Sequence, residues 1–401
     1  MRAGTIAAAT IVAAVLGGGA ALGIGKGAGW LDGGTKTVVV NQRAPEPASL
    51  PASATSTVPA LPGRGFNPQR IFAQRSPGVV TIFAYFSQAP SPAQGSGFVI
   101  SPRGYILTNS HVITSAGESG PFRVADEVFV AFADGDRVEA TIVGWDRFND
   151  VGLLRVNPRA RRLSPVPLGE SASVVVGQPV AAIGSPLGNE NSLSVGVVSA
   201  IHRSIDALTV NRYDIVDAIQ TDAPITHGSS GGPLFDARGR VIGISAQIRS
   251  ATGRGNDSGI GFAIPIDAAK NSVAQLIAKG RVTYAYVGIR TQDLTPSLAR
   301  ALGYKVSRGA LIVSVEPGSP AHDAGLRGGG RQVDVLGIEN LPTGGDVIVA
   351  IDGKPVRSAD DVVRTVSFSL KPNEVTVLTV VRDGKRKNVP VTLAERQLPP
   401  D

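Results

Sequence analysis

The sequence predicts a mainly β fold, in which a large unit of short strands precedes a smaller α+β unit. Glycine and proline number 49 and 28 among 401 residues, which favours many turns over long helices. Between residues 78 and 264, short apolar runs alternate with turn residues, a pattern typical of antiparallel barrels or a sandwich. The predicted strands of this unit are 79–83, 97–100, 105–108, 128–132, 140–143, 152–156, 179–183, 195–201, 215–220 and 241–247.

Helices are predicted at both ends of the large unit. Asn67 is a suitable N-cap and Pro68 suits the first position of a short helix. A second helix ends the unit, with Gly280 as its C-terminal stop. Its predicted apolar face consists of Ile266, Ala269, Val273, Leu276 and Ile277.

The smaller unit combines strands with helices and has no internal repeat. Thr295-Pro296 and Ser358 are predicted helix starts, because each supplies a capping hydroxyl. Asp383-Gly384 is predicted to join the last two strands in a hairpin. The predicted strands are 310–315, 346–351, 374–382 and 387–393.

The N-terminus predicts export from the cytoplasm. Arg2 precedes a run of small and apolar residues that ends at Gly25 and is long enough to span a bilayer. Residues 1–26 are therefore interpreted as an N-terminal membrane anchor or signal helix, either an uncleaved signal anchor or a cleaved signal peptide. Residues 27–66, rich in Pro, Ala, Ser and Thr, are interpreted as a flexible linker.

Composition excludes several classes of function. The absence of cysteine excludes a thiol nucleophile, disulfides and cysteine zinc sites. The net charge of +7 comes from scattered residues, and no aromatic residues interleave with the basic clusters, so no nucleic-acid partner is expected. The turn at 134–136 (DGD) is interpreted as a hairpin, because the downstream ligand spacing of a calcium loop is missing.

Three separate segments carry residues suited to acyl transfer. In the segment 228–234 (GSSGGPL), Ser230 is flanked by glycines and can lie on a tight turn that exposes its hydroxyl beside backbone N–H groups. His111 follows an apolar strand and Asp150 directly precedes one. Each segment alone has a structural explanation: a glycine-rich turn, a structural histidine, a turn aspartate. Together they supply a nucleophile, a base and an orienting carboxylate.

With these motifs in this order, the sequence resembles the HtrA/Deg family of trypsin-like serine proteases over residues 70–394. Five segments carry the resemblance, and they occur in the order and at the intervals of the family. They are 95–100 (GSGFVI), 106–112 (ILTNSHV), 149–154 (NDVGLL), 220–234 (QTDAPITHGSSGGPL) and 259–265 (GIGFAIP).

The resemblance implies a chymotrypsin-like double β-barrel at residues 67–280. His111 and Asp150 would belong to the first barrel and Ser230 to the second, forming a Ser-His-Asp triad across the cleft. The backbone N–H groups of Gly228 and Ser230, with Ser229 between them, would form the oxyanion hole. The mechanism needs no metal or cofactor.

The loop before the nucleophile departs from the family pattern at Pro224, Thr226, His227 and Ser229. His227 is poorly placed to act as the base, and Ser230 is favoured over Ser229 as nucleophile by the Ser-Gly-Gly-Pro frame. Pro224 stands where basic-specific proteases carry a carboxylate. With Ile225 and Ser245 as expected pocket residues, cleavage after small or medium aliphatic residues is predicted. Asp222 is interpreted as a structural hydrogen-bonding residue.

The smaller unit, residues 284–396, resembles a PDZ domain. Its expected carboxylate-binding loop is Tyr286-Val287-Gly288-Ile289, which would bind the C-terminus of a peptide through backbone N–H groups. Residues 327–343 form an insertion that is longer than in the simplest members of this family. His202 and His322 are interpreted as structural or surface residues.

The predicted function is therefore endoproteolysis of unfolded or damaged polypeptides, including those with free C-termini, in the cell envelope. The alternative is a proteolytically dormant chaperone that binds peptides through the PDZ groove. The resemblance also implies a homotrimer formed through the protease N-terminus. Phe66 and Phe72 are candidate contacts there, although they equally suit the core.

Overall fold

A computed structural model describes residues 65–87, 89, 91–116, 122–185, 191–206, 214–226, 228–246 and 260–397. The predicted membrane segment, almost all of the predicted linker, and His227 lie outside these residues. Within the described ranges, no helix combines the length and the hydropathy needed to cross a bilayer.

Helix α1, Pro68–Arg75, begins as predicted. The Asn67 side chain accepts a hydrogen bond from the Arg70 N–H at 2.9 Å, and proline occupies the first helical turn. Ile71 is buried, and Phe66 and Phe72 pack partly buried against the same core cluster. A short 3₁₀ turn, Ser76–Gly78, leads from this helix into the first strand.

The first six strands close into a barrel in the order β1-β2-β3-β6-β5-β4. All six were predicted, although β5 is longer than the apolar run 140–143 because residues 137–139 and 144–146 continue the ladder. The short helix α2, Ser110–Ile113, follows β3. The strands are β1 Val79–Tyr85, β2 Ala93–Val99, β3 Tyr105–Thr108, β4 Glu127–Phe132, β5 Arg137–Asp146 and β6 Val151–Val156.

The next six strands close a second barrel in the order β10-β11-β12-β9-β8-β7. Two of them, β10 and β12, were not predicted as strands from the sequence pattern. Strand β10 has only three residues, and β12 is buried throughout, so neither has an alternating pattern. The strands are β7 Pro179–Gly184, β8 Ser192–Asp206, β9 Asp214–Thr221, β10 Pro233–Phe235, β11 Val241–Ala246 and β12 Gly261–Pro265.

Helix α3, Ile266–Lys279, ends this unit as predicted. Gly280 has a φ of 70°, a left-handed conformation that glycine adopts without steric cost, and its N–H closes the last turn on the Leu276 carbonyl. Leu276 is buried against the first barrel, where a Cβ on Gly144 would lie 2.8 Å from its side chain. The predicted apolar face is wrong at Ile277, which is 47% exposed because it lies about 100° around the helix from Leu276.

The smaller unit forms around a sheet in the order β14-β15-β18-β20-β21, with β19 on β18. A two-stranded ladder of β13 and β22 brings the beginning and end of the unit together. The insertion 327–343 contains a separate hairpin of β16 and β17. The strands are β13 Ala285–Tyr286, β14 Ile289–Leu294, β15 Gly309–Val315, β16 Arg331–Val335, β17 Ile338–Thr343, β18 Val347–Ile351, β19 Lys354–Pro355, β20 Val375–Arg382, β21 Lys385–Thr392 and β22 Ala394–Glu395.

Three helices complete this unit, α4 Pro296–Leu302, α5 Pro320–Asp323 and α6 Ala359–Ser369. Both predicted helix starts are confirmed: the Thr295 hydroxyl accepts from the Leu298 N–H, and Ser358 forms a capping box with Asp361. The predicted turn Asp383-Gly384 joins β20 to β21 with positive φ at both residues.

Candidate active site

His111 and Asp150 meet because the strands beside them are paired. Strands β3 and β6 are antiparallel, with Thr108 opposite Gly152, so the segments just outside this pair lie side by side. His111 belongs to α2 and Asp150 directly precedes β6. The Nδ1 atom of His111 lies 2.7 Å from Oδ2 of Asp150.

The Asp150 carboxylate is fixed by further donors. Its Oδ1 atom accepts from the His111 backbone N–H and from the Ser110 hydroxyl, each at 2.9 Å. The Asn109 amide donates to the Asp150 carbonyl at 2.8 Å. Asp150 is buried, and its φ of 51° is a left-handed conformation that costs a non-glycine residue on the order of 1 kcal/mol or more. These contacts therefore hold both the side chain and a strained backbone.

The electrostatics of His111 favour its positive form. Burial acts to lower the pKa of His111, but the charge of Asp150 and its hydrogen bond together outweigh burial, so the pKa is raised above its ordinary value. An imidazole in this environment is a stronger base than a free one. The imidazolium that forms when it accepts a proton is stabilised by Asp150.

Ser230 lies where the two barrels meet. The Ser96 N–H of β2 donates to the Ser230 carbonyl at 2.8 Å. Gly231, with a φ of 86°, passes so close to the first barrel that a Cβ would lie 2.1 Å from the Ser96 carbonyl oxygen and 3.0 Å from the Asn109 nitrogen. The turn that carries Ser230 is therefore packed beside the segment that leads into α2 and His111.

The Ser230 hydroxyl is buried and has no hydrogen-bond partner in the part of the chain that the structure describes. The structure thus joins His111 to Asp150 directly and brings the Ser230 turn to the same junction, without a hydrogen bond between Ser230 Oγ and His111. Such bonds are commonly long in the free enzyme and shorten when substrate is bound.

Of the three residues predicted for the oxyanion hole, Ser229 differs from the other two. Its N–H closes a turn on the Thr226 carbonyl at 2.9 Å. The N–H groups of Gly228 and Ser230 donate to no described residue. The Gly228 carbonyl accepts from the Ser96 hydroxyl at 2.6 Å, which fixes the orientation of the next peptide group.

The expected pocket residues lie on the second barrel. Ile225 is buried against β12, where a Cβ on Gly261 would lie 2.9 Å from its Cδ1 atom. Ser245 of β11 is buried, and its backbone exchanges hydrogen bonds with Gly231 and Gly232 at 2.9 and 2.8 Å. Ser245 is therefore hydrogen-bonded directly to the turn that carries Ser230.

Two neighbouring positions have a different role. Asp222 accepts from the Val197 N–H at 2.6 Å, so it is a structural hydrogen-bonding residue, as predicted. Pro224 is exposed, and its carbonyl accepts from the Ser194 hydroxyl at 2.8 Å.

The predicted carboxylate-binding loop connects β13 to β14. Two of its carbonyl oxygens accept hydrogen bonds. The Val287 carbonyl accepts from the Ala321 N–H and the Gly288 carbonyl from the Glu316 N–H, both at 2.9 Å. Gly288 has a φ of 82°, and a Cβ there would lie 2.1 Å from Cβ of Ser319. Ile289 begins β14, which lies at the edge of its sheet and, among the described strands, pairs with β15 alone. Helix α6 is next to it, with the Ala359 N–H donating to Asp293 at 2.7 Å.

Sequence reasoning did not assign roles to two serines of the site. Ser96 bridges the Gly228 carbonyl and the Ser185 N–H, and Ser110 donates to Asp150. Both are fully buried hydroxyls in the motifs 95–100 and 106–112, which is the signal that would have indicated them. Among the described residues, no three or more His, Cys, Asp or Glu side chains gather as metal ligands.

Comparison with known protein families covers both units. Residues 95–244 match the family of the trypsin-like peptidase domain, and residues 285–393 match the PDZ domain family. A protein of Pseudomonas fluorescens named probable periplasmic serine endoprotease DegP-like is 38% identical over 306 residues, covering 76% of this chain and 57% of the relative. A protein of the same name from Halomonas elongata is 35% identical over 376 residues, covering 90% and 70%.

Solved structures align with most of the chain. The structure named HtrA-type protease AlgW with tripeptide aligns with a TM-score of 0.67 and 31% identity, covering 83% of this chain and 98% of that one. The serine endoprotease from Yersinia pestis aligns with a TM-score of 0.57 and 28% identity, covering 82% and 98%. The chain spans 57% and 66% of the length of two of the curated relatives that it matches.

Proposed function

The chain belongs to the HtrA-type family of trypsin-like serine endoproteases, as the sequence motifs indicated, and on this premise we propose that it hydrolyses peptide bonds through an acyl-enzyme on Ser230. One observation carries the proposal. A buried serine hydroxyl, with no hydrogen-bond partner among the described residues, lies on a turn packed against the segment that leads to His111. His111 is partly buried and contacts the buried Asp150, and the turn lies at the junction of two closed barrels.

In the acylation step, Ser230 Oγ attacks the peptide carbonyl while His111 Nε2 accepts its proton. The tetrahedral intermediate collapses when the C–N bond breaks, and His111 returns the proton to the leaving amine. Water then attacks the ester with His111 again as base, and the acid product leaves with Ser230 regenerated. Asp150 holds the Nδ1–H tautomer and stabilises the imidazolium in both steps.

The oxyanion forms opposite the N–H groups of Gly228 and Ser230. Each such donor contributes roughly 10²–10³-fold to turnover in related chemistry. Ser96 supports this arrangement, because its hydroxyl fixes the Gly228 carbonyl and so the peptide that follows. Ser229 lies between the two donors and shapes the turn.

The substrate side chain enters a pocket bordered by Ile225 and Ser245. No carboxylate stands at position 224, so a basic side chain has no partner there. The buried aliphatic wall favours small or medium aliphatic side chains before the cleaved bond.

The PDZ domain, residues 284–396, binds the C-terminus of a polypeptide. The terminal carboxylate contacts the backbone N–H groups of the loop 286–289, and the peptide pairs with the unpaired edge of β14. Two structural neighbours are named as complexes with a tripeptide and a decapeptide, which supports peptide binding in this chain.

The enzyme acts outside the cytoplasm, in the cell envelope, on unfolded or damaged proteins. The relatives are named periplasmic, which supports this location. Residues 1–26 attach the chain to the membrane and residues 27–66 separate it from the protease domain, 67–280. A homotrimer forms through the N-terminus of that domain, near Phe66 and Phe72.

Casein hydrolysis by the wild type, Ser230→Ala and Ser229→Ala tests the assignment. The Ser230→Ala protein should lose turnover by several orders of magnitude and retain peptide binding, whereas Ser229→Ala should stay active. Equal hydrolysis by the wild type and Ser230→Ala would remove the protease assignment.

A further inference from the structure

A buried polar cluster lies behind the turn that presents Asp150. Asp146 is the last residue of β5, and Asp150 directly precedes β6, so the two aspartates bracket one short turn. The Asp146 carboxylate is 2% exposed and accepts from the backbone N–H groups of Phe148 at 3.0 Å and Asn149 at 3.3 Å. The carboxylate therefore shapes the turn from inside.

Two hydroxyls from outside the turn complete the cluster. Ser272 of α3 donates to the Asp146 carboxylate at 2.6 Å, and the Tyr284 hydroxyl donates to the same oxygen. The Tyr284 hydroxyl also accepts from the Asn149 side-chain amide at 2.5 Å. Tyr284 thus contacts both Asp146 and Asn149, the residue next to Asp150.

Tyr284 is itself held at the junction between the two domains. It is 2% exposed, directly precedes β13, and its carbonyl accepts from the Arg396 N–H at 2.8 Å. Its ring packs edge-on against Phe148, with centroids 5.4 Å apart, and Arg396 stacks over the other ring of this pair at 4.5 Å. The hydroxyl therefore reaches the turn from a ring that is fixed on several sides.

The charges of the cluster keep Tyr284 a donor. Burial raises the pKa of Tyr284 well above its ordinary value, and the Asp146 charge raises it further. Burial also raises the pKa of the Asp146 carboxyl, while hydrogen bonds from Ser272 and Tyr284 oppose that change. A phenol beside this carboxyl does not ionise in the working pH range.

We infer that Tyr284 is a positioning residue for the triad, acting through Asp146 and Asn149 to hold the turn that presents Asp150 to His111. This inference rests on the proposed protease function. Tyr284 does not touch the reacting atoms. Its effect is needed because Asp150 has the left-handed φ of 51°, a conformation that persists only when the surroundings fix it.

Removing the hydroxyl has a specific consequence. In Tyr284→Phe, the Asp146 carboxylate loses one donor and the buried Asn149 amide loses an acceptor, so the turn relaxes. Asp150 then aligns less well with His111, and the imidazolium is less stabilised in the transition state. The pocket residues Ile225 and Ser245 are on the other barrel, so substrate binding is retained.

The test compares Tyr284→Phe with Tyr304→Phe in the full chain, using a peptide substrate across a range of pH. Tyr304 is the matched control, since its hydroxyl also accepts a hydrogen bond, from the Gly344 N–H at 2.9 Å, in the PDZ domain. For Tyr284→Phe we expect kcat to fall about tenfold with KM within about twofold, a factor of ten being about 1.4 kcal/mol in the barrier. Tyr304→Phe should change neither constant.

The pH profile separates positioning from general destabilisation. Asp150 raises the pKa of His111, so loosening their contact lowers that pKa and moves the acid limb of kcat/KM to lower pH in Tyr284→Phe. Three charged groups contact the residues involved in this effect. Asp150 contacts His111, Asp146 contacts Tyr284, and the Arg396 guanidinium lies over the Phe148 ring. The downfield proton resonance of the His111–Asp150 hydrogen bond should shift in parallel, a readout that needs no turnover.

Ser272→Ala carries the test if Tyr284→Phe does not fold, because it removes the other hydroxyl from the same carboxylate. A folded Tyr284→Phe with unchanged kcat and acid limb would overturn the inference. So would lower activity with an unshifted limb and resonance, since that result indicates a purely structural role. An inactive wild type with an intact downfield resonance that shifts in Tyr284→Phe would instead refute the protease function and leave the positioning contact established.

Discussion

The Nδ1 atom of His111 lies 2.7 Å from Oδ2 of Asp150, although 39 positions of the chain separate them. The contact arises because β3 and β6 are paired, and both residues lie just beyond the same end of that strand pair. A second carboxylate oxygen accepts from the His111 backbone N–H, so the same aspartate fixes both the ring and the main chain of the histidine.

Replacing Asp150 with Asn should remove the correct tautomer of His111 and leave most of the geometry in place. The amide can donate to Nδ1, which then puts the proton on Nε2 and blocks the base. We expect kcat to fall by roughly 10⁴ with little change in KM. Steady-state kinetics on a peptide substrate measures both. A loss smaller than tenfold would show that Asp150 does not orient the base.

The activity of the wild type should depend on a histidine with a raised pKa. Only neutral His111 accepts the Ser230 proton, so kcat/KM should rise with pH through a midpoint above the ordinary histidine value of about 6.5. A midpoint at or below that value would contradict the strong His111–Asp150 coupling.

The same raised pKa has an effect on stability. Because the folded pKa of His111 is above its unfolded value, the stabilisation is fully present below the unfolded pKa and is lost as pH rises through the folded pKa. Unfolding by urea at a series of pH values should show this fall, and the fall should be absent in His111→Ala.

Ser96→Ala should weaken the oxyanion hole, because it removes the hydroxyl that binds the Gly228 carbonyl. The Ser96 hydroxyl joins the Gly228 carbonyl at 2.6 Å to the Ser185 N–H at 2.9 Å, and it is fully buried. Its loss leaves both groups without that partner, at a cost of about 1–3 kcal/mol in stability, and frees the peptide before Ser229 to rotate. We expect kcat to fall at least tenfold.

The matched control for that experiment is Ser101→Ala. The Ser101 hydroxyl accepts a local bond from the Arg103 N–H in a partly exposed turn. Kinetics and thermal unfolding of the two variants distinguish the two sites. Equal effects, or no effect of Ser96→Ala on kcat, would show that the Gly228 peptide does not depend on Ser96.

Gly288→Ala should abolish peptide binding by the PDZ domain and leave proteolysis of short substrates unchanged. The new Cβ would lie 2.1 Å from Ser319 Cβ, and alanine is strained at a φ of 82°. Fluorescence anisotropy of a labelled peptide with a free C-terminus measures the loss, and an amidated peptide should bind weakly even to the wild type.

Gly303→Ala is the control for backbone strain alone. Gly303 also has a positive φ, 75°, but no atom lies within 4 Å of a Cβ placed there. It should therefore retain peptide binding. If both alanine variants bind equally well, the loop 286–289 is not the carboxylate site.

Local sequence signals predicted the elements and turns well. Asn67, Thr295 and Ser358 were recognised as helix caps because each supplies a side-chain acceptor at a helix start. Gly280 was recognised as a stop because glycine adopts a left-handed φ without steric cost. The family resemblance identified the positions that the structure brings to the barrel junction.

Contacts between distant segments were not predictable in this way. Tyr284 reaches Asp146 across 138 positions, and Ser96 reaches Gly228 across 132, and no local pattern encodes either pair. The short strand β10 and the hairpin β16–β17 were also missed, since the first has three residues and the second has an irregular register. Ile277 was predicted to lie on the buried face of its helix but is exposed. Helical spacing defines a wider face than the one that packs against the core.

Treatment of the full chain with a serine-directed fluorophosphonate, followed by peptide mass spectrometry to locate the adduct, tests most directly whether Ser230 is the nucleophile. We expect a single adduct on Ser230, formed in the wild type and absent when His111 is replaced with Ala. An adduct on Ser229, or labelling of Ser230 that does not depend on His111, would contradict it.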